Sequence, residues 1–363
     1  MLSLRDGRLA LVLGVCLLAW GHGANGETVG DKFDFEHYRF EDETASRFDD
    51  RPLREALVYP AWFKLSFLDL PDDLRDTVAA GKDGLIVYFG QRFCPYCKAL
   101  VEKDLGREDI ARYTRKHFDV VALDVHGDRP VTDMAGRETT EKELARRERT
   151  NFTPSLIFYD RGSREALRLR GYYPPYKFRA ALEYVADGYY RHESFRHYLA
   201  RAGVLSSAGE KALNRDAFFA APPYLLDRTR RPAERPLAVF FEQGDCHACD
   251  VLHAGPLHNM VIRGQLQYVD AVQLNMWAAT PVVTPDGRRT TARAWAKELG
   301  LFYAPTIIFF DERGKEILRV DSVVHFYRLR GVLDYILGGA YKRGLTFQEW
   351  RFGPHPGGRD VDR

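Results

Sequence analysis

The residues best suited to chemistry are two cysteine pairs, Cys94-Pro95-Tyr96-Cys97 and Cys246-His247-Ala248-Cys249. Two residues between cysteines close too small a loop to constrain much of an unfolded chain, so neither pair reads as a structural staple. Thiol–disulfide exchange or metal ligation remains. Exchange needs one sulfur held as a thiolate, which attacks a disulfide, and a second sulfur near enough to displace the mixed disulfide that results. Cys94 is the expected nucleophile of the first pair and Cys97 the resolving thiol one turn on, with Cys246 and Cys249 in the same order in the second. The sulfur of Cys94 is expected to be exposed to its partner proteins.

The elements around the pairs fit that chemistry. Leu85-Ile-Val-Tyr-Phe89 is a short, continuous apolar run of the kind found in a strand buried on both faces. A loop over Gly90 to Phe93 follows, and Cys94 then opens a helix reaching Leu105. Free N–H groups and the positive end of the helix dipole stabilise a thiolate at that point. Pro95 suits the first helical turn, where its missing N–H costs nothing. Farther along, Thr153-Pro154 opens a later strand, as does Ala304-Pro305. Proline is unusual at the start of a central strand, and a cis bond would account for it.

The chain is a duplication. Pro130-Val131 matches Pro281-Val282 at an offset of 151 residues, and Gly136-Arg137, Thr139-Thr140, Pro154, Glu165, Tyr184 and Tyr190 find partners in the same register. The cysteine pairs are one residue out of it. In the first copy, helical patterning over Pro71 to Lys82 precedes the strand Leu85 to Phe89. Further helices are expected near Arg107 to His117, Thr140 to Arg149 and Tyr176 to Tyr190. Further strands are Phe118 to Leu123, Ser155 to Tyr159 and Ala166 to Arg170. The second copy has strands Leu237 to Phe241, Val269 to Leu274, Thr306 to Phe310 and Ile317 to Val320, and a last helix over Tyr327 to Tyr341. This alternation predicts an α/β fold with helices on both faces of each sheet.

These features resemble the thioredoxin-like family: Cys94-Pro-Tyr-Cys97, the strand before it, the Thr153-Pro154 loop and the closing hairpin and helix. The segment from Trp62-Phe63-Lys64 through Gly90-Gln91 to Lys98, with the insertion near Gly127-Asp128 to Gly136, is similar to SoxW-type periplasmic thioredoxins over roughly residues 60 to 200. Residues 237 to 350 resemble the same fold more loosely. The resemblance implies two tandem three-layer α/β/α domains with mixed central sheets. It places a cis-proline loop, Thr153-Pro154 or Ala304-Pro305, opposite each redox pair, presenting backbone to the substrate chain. Protein disulfides are the implied substrates, a membrane thiol-transporting reductase the implied upstream partner, and the redox-active disulfides serve without another cofactor. One departure stands out. Many members place a buried aspartate six residues before the nucleophile; this chain has Tyr88 and Phe240 there, so proton handling differs.

The expected organisation is a signal peptide over 1–26, an acidic and aromatic arm over 27–58 and a first domain over 59–201. A linker or helical connection over 202–236, a second domain over 237–350 and a tail over 351–363 follow. Arg5 and Arg8, the apolar run Leu9 to Trp20 and the small residues Gly21, Gly23, Ala24 and Gly26 carry the export reading, with cleavage before Glu27. The apolar run, which holds Cys16, falls short of the roughly 20 residues a membrane span takes. The mature protein is therefore expected to be periplasmic and not inserted in the membrane. Lys and Arg number 53 against 51 Asp and Glu, a formal charge of +2, which supplies no basic field for nucleic acid.

Alternatives stay open at the second pair. Cys246, His247, Cys249 and His253, with His258 beyond, form a soft and imidazole-rich stretch able to hold copper or zinc, as a metal-binding chaperone would. Two redox domains in one chain also fit a disulfide isomerase, and the second domain could serve only to bind substrate. The two sites are expected to differ in reactivity. Arg92 and Lys98 favour the Cys94 anion, while Glu242 and Asp245 oppose that of Cys246, with His247 helping only when protonated.

Overall fold

A computed structural model describes residues 48–202 and 212–353; the expected signal peptide, the arm before Phe48 and residues 354–363 of the tail lie outside the described residues. The first sheet has the order β2-β1-β5-β6: β1 (Gly84–Gly90), β2 (Phe118–Asp124), β5 (Ser155–Asp160) and β6 (Glu165–Arg170). The β1–β2 pairing is parallel and the other two are antiparallel, so the sheet is mixed.

Every residue of β1 is buried because alternate side chains enter different cores. Leu85, Val87 and Phe89 join Leu70 and Leu74 of α1 (Leu70–Ala79) and Leu144 of α4 (Glu141–Arg147) on one face. Ile86 and Tyr88 join Ile110 of α3 (Glu108–His117) and Phe178 of α5 (Pro175–Ala186) on the other. Two apolar layers about one sheet make the three-layer sandwich. Helix α2 (Pro95–Ala99) passes into a π-helical turn, Leu100–Asp104, on this second face.

The second sheet repeats the plan as β9-β8-β12-β13, from β8 (Leu237–Glu242), β9 (Asp270–Asn275), β12 (Thr306–Phe310) and β13 (Glu316–Val320). Its helices are α7 (His247–Ala254), α8 (Met260–Leu266), α9 (Ala292–Glu298) and α10 (Phe326–Leu337).

Several elements had no clear sequence signal. The insertion of each copy folds into a small hairpin, β3 (Pro130–Thr132) with β4 (Glu138–Thr140) and β10 (Pro281–Val283) with β11 (Arg289–Thr291). The described part of the connection, 212–236, contains no helix. It supplies instead β7 (Tyr224–Leu225), which pairs in parallel with β10. After each closing helix comes a further short one, α6 (Phe195–Arg201) and α11 (Phe347–Phe352). The latter runs past residue 350, where a tail was expected, because Thr346 and Glu349 form a capping box.

The two domains meet about a local two-fold relation that follows the sequence repeat. Gly171 packs against Ser322, its own counterpart; with φ of +97° it tolerates no side chain, and a Cβ there would strike the serine hydroxyl. Val323 N–H donates to the carbonyl of Tyr172, again its counterpart, at 3.0 Å. Self-pairing marks the axis of an isologous contact. Away from it, contacts come in related pairs. Phe195 packs on Phe302 with ring centroids 5.0 Å apart, and Phe347 packs on Phe152 at 5.3 Å. Arg196 donates to the carbonyl of Leu301, and Gln348 donates to that of Asn151 at 2.8 Å.

Candidate active site

Each cysteine pair sits where a fully buried strand gives way to a helix. Cys94 is the N-cap of α2 and Cys246 that of α7, and both pairs are disulfide-bonded, with Cα atoms 5.2 and 5.1 Å apart. The backbone N–H of Cys97 points at Cys94 Sγ from 2.9 Å, and that of Cys249 at Cys246 Sγ from 3.1 Å. In the reduced state these N–H groups face the sulfur that must carry negative charge.

The distant prolines close in on the same sulfurs. Thr153–Pro154 and Ala304–Pro305 are both cis. Cys94 Sγ lies 3.6 Å from the Thr153 carbonyl oxygen, and Cys246 Sγ lies 3.6 Å from that of Ala304. In the first site alone a side chain adds to this, since Thr153 Oγ1 donates to Cys94 Sγ at 3.3 Å. Ala304 has no hydroxyl to offer. Cys94, Cys97, Thr153 and Pro154 therefore form one constellation, and Cys246, Cys249, Ala304 and Pro305 its counterpart.

The expected exposed sulfur is not found. Cys94 is 1% exposed, Cys97 is fully buried, and Cys246 keeps 8%. The cover comes from outside the first domain. Arg328 of α10 lies over the Tyr96 ring, 3.3 Å from its centroid, and donates to the Thr153 carbonyl at 2.9 Å. The arm supplies the rest. Asp50 Oδ2 accepts from the Tyr96 hydroxyl at 2.8 Å and from the Arg328 N–H at 2.8 Å, and its Oδ1 accepts from the Tyr327 N–H at 3.0 Å. Tyr96 Oη also accepts from the His325 N–H at 3.0 Å. Burial, with the Asp50 charge beside it, pushes the Tyr96 hydroxyl well above its usual range, so it stays protonated and donating. Leu53 and Leu57 N–H groups donate to the carbonyls of Phe93 and Arg92 just before Cys94. Neither Asp50 nor Arg328 was singled out in sequence, since no local pattern links the arm to the second domain.

The second loop is covered in the related way. Lys177, the counterpart of Arg328, donates to the Phe302 carbonyl at 3.3 Å and lies 4.4 Å from the Tyr303 ring centroid. Tyr173 stacks on Phe302 at 5.5 Å and meets Tyr303 edge-on at 5.5 Å, so this aromatic lines the loop. Ala248, inside the second cysteine pair, packs against the core that holds Cys94 and Cys97.

The metal-ligand alternative is not assembled. His253 turns away from the cysteines: its Nδ1 bonds Asp216 Oδ2 at 2.7 Å and its Nε2 bonds Glu242 Oε1 at 3.0 Å. Both ring nitrogens are thereby occupied, while His247 and His258 are exposed. Among the described residues no three His, Cys, Asp or Glu side chains converge in a metal-holding group. The same cluster revises the expected charge asymmetry. Glu242 is wholly buried and also accepts from Gln273 at 3.0 Å, so its charge is shared with His253 and Gln273. Burial opposes the charged imidazole of His253, but the Glu242 and Asp216 bonds outweigh it and raise its pKa. On the first site Arg92 lies over the exposed Phe93 ring, and Lys98 pairs with Glu102 at 3.7 Å. The clearest difference between the sites is thus the Thr153 hydroxyl.

Where thioredoxins carry an aspartate, Tyr88 fills the first core and Phe240 the second. Tyr88 meets Tyr59 edge-on at 5.3 Å, and the two hydroxyls flank Gly90 so closely that a Cβ would not fit. Burial holds Tyr59 up at about 12 and Tyr88 well above its usual value, so neither ionises at neutral pH.

Two mixed sheets, each with a helix-capping Cys-x-x-Cys pair opposite a cis-proline, define a thiol–disulfide oxidoreductase. The family model described as a thioredoxin-like domain matches residues 70–186 and again 227–337, and the chain belongs to that family. No curated protein matches the chain. Among solved structures, a thioredoxin-fold protein from Helicobacter pylori is 23% identical, over 40% of this chain and 94% of that one, with a TM-score of 0.32. A thioredoxin from Thermus thermophilus is 28% identical, over 34% of this chain and 93% of that one, at 0.27. A disulphide isomerase from Xylella fastidiosa is 20% identical, over 41% and 98%, at 0.21. Among the described residues no helix is long and apolar enough to cross a membrane.

Proposed function

We propose that the protein reduces protein disulfides outside the cytoplasm, with Cys94 and Cys97 as its principal site. The observation that carries the reading is the surroundings of Cys94. Its sulfur caps a helix, receives the Cys97 N–H and the Thr153 hydroxyl, and lies against the cis-proline loop. The Cys97 N–H, the Thr153 hydroxyl and the helix start each favour a thiolate over a thiol, while the Thr153 carbonyl oxygen beside the sulfur opposes it. The reduced Cys94 thiolate attacks one sulfur of the substrate disulfide, and the other substrate sulfur leaves as a thiolate. Cys97 then gives up its proton and attacks Cys94 Sγ, which releases the second substrate thiolate and forms the Cys94–Cys97 disulfide. Two electrons pass to the substrate, and an external dithiol must return them.

Export rests on the basic start, short apolar run and small-residue exit before Glu27. The likeness to SoxW-type thioredoxins favours a membrane thiol-transporting protein as that external reductant. The Cys246–Cys249 pair serves as a second exchange site in the same reading, with Ala304 and Pro305 as its substrate loop.

The test is capture. Cys97→Ser should accumulate proteins joined to Cys94 by bonds that a reductant breaks, while Cys94→Ser should accumulate none there. A Cys97→Ser chain that captures nothing from a disulfide-rich extract, even with the cover over Cys94 loosened, would refute the assignment.

A further inference from the structure

We propose that the second domain occupies the first domain's substrate groove, held there by the arm, so that exchange with a protein requires the two halves to part. The inference rests on the oxidoreductase reading and concerns its regulation.

Cys94, with 1% of its surface exposed, cannot be reached by another protein's disulfide, which must approach in line with the bond it breaks. The cover over Cys94 is separable from the first domain's fold, since it consists of α10, its preceding loop and the arm. Asp50 ties the arm and α10 to the redox pair: one carboxylate receives two N–H groups of the first turn of α10 and the hydroxyl of the tyrosine between Cys94 and Cys97. Arg328 then reaches the backbone carbonyl beside the cis-proline, a group that would otherwise face an incoming chain. The mutual arrangement adds weight. Lys177, the counterpart of Arg328, reaches the second loop at the Phe302 carbonyl and the Tyr303 ring, two residues and one residue before Ala304, so one opening motion uncovers both loops.

Closed and open forms share one covalent chain, so reactivity at each sulfur scales with the fraction open. The oxidised full-length protein is treated with a water-soluble phosphine, which becomes phosphine oxide as it reduces each disulfide. Freed thiols are alkylated, and the peptides holding Cys94 and Cys246 are quantified by mass spectrometry over time. Three variants loosen the contact: Asp50→Asn at the arm, Arg328→Met at α10 and Ser322→Leu as a wedge at the axis.

The wild-type pairs should react at least tenfold more slowly than in the guanidinium-unfolded chain. Each variant should speed Cys94 at least fivefold and Cys246 in step, with small-angle scattering showing a larger radius. Folding of each variant is checked by circular dichroism, and Ser322→Leu, which meets Arg328 but not the arm, guards against a local effect at Asp50. Wild-type pairs reacting at the unfolded-chain rate would overturn the proposal. So would variants that speed Cys94 and leave Cys246 unchanged. Either result leaves the oxidoreductase reading standing if Cys97→Ser still captures proteins. Conversely, masked disulfides that the variants unmask, in a chain that captures no protein even when opened, would sink that reading and keep the closure.

Discussion

Replacing Thr153 by valine keeps the volume and β-branching of the side chain and removes only its hydroxyl. In the structure that hydroxyl is 3.3 Å from Cys94 Sγ, in a buried loop where water does not substitute for it. A hydrogen bond to a charged group contributes about 1.5–3 kcal/mol, and sulfur, a diffuse acceptor, falls at the lower end. One pKa unit corresponds to about 1.4 kcal/mol of preference for the anion, so Thr153→Val should raise the Cys94 thiol by about one unit. The assay follows alkylation of the reduced chain against pH at the Cys94 peptide. Its midpoint is read, and the absolute rate is not, so partial masking of the sulfur cancels. Cys246 is the internal control, since Ala304 offers no hydroxyl; Ala304→Thr should move its midpoint down by a similar amount. A Thr153→Val midpoint within about 0.3 unit of wild type, a shift of only about 0.4 kcal/mol, would refute the reasoning. So would an Ala304→Thr change that leaves Cys246 where it was.

The buried cluster of the second domain gives a stability test. His253→Leu strands the Glu242 carboxylate without its imidazole partner and should cost about 3–5 kcal/mol in chemical denaturation, with the Glu242→Leu, His253→Leu pair recovering most of it. An undiminished midpoint would show that Gln273 alone satisfies Glu242. Because the folded pKa of His253 is raised, its contribution is full below about 6.5 and fades as pH climbs through the folded value. Asp321 behaves oppositely to an ordinary carboxylate. Burial lifts it to about 6 despite Arg170 and Arg319, and its Oδ1 has no hydrogen-bond partner among the described residues. A raised carboxylate is stabilising when protonated, so that contribution is lost as pH rises from about 4 through 6. Asp321→Asn should therefore gain stability relative to wild type over this window, and equal denaturation midpoints at pH 4 and pH 7 would contradict the assignment.

Much of this molecule could be read from local pattern. Leu85 to Phe89 and Leu237 to Phe241 announce central strands because burial on both faces demands uninterrupted apolar residues, and both proved fully buried. Both cysteine pairs follow a buried strand and a short loop, and in the first pair Pro95 at the first turn further suits the cap position of Cys94. The repeat of 151 residues displayed a duplicated domain directly. Pro154 and Pro305 stood out because proline is uncommon beside a central strand, and the structure places each just before the strand in a cis bond beside its sulfur.

What tertiary structure alone decided is how the copies meet and where certain charges go. Asp50 and Arg328 lie far apart along the chain, and nothing within a helical turn of either distinguishes it from an ordinary surface residue. Only docking brings both onto Tyr96. His253 entered the metal-binding alternative because composition counts imidazoles near cysteines, whereas its ring nitrogens are held by the Glu242 and Asp216 carboxylates that folding places beside it. Side-chain periodicity reports which face of an element is buried. It is silent on whether the burying surface is the element's own domain or its twin, and for Cys94 that difference separates an open active site from a covered one.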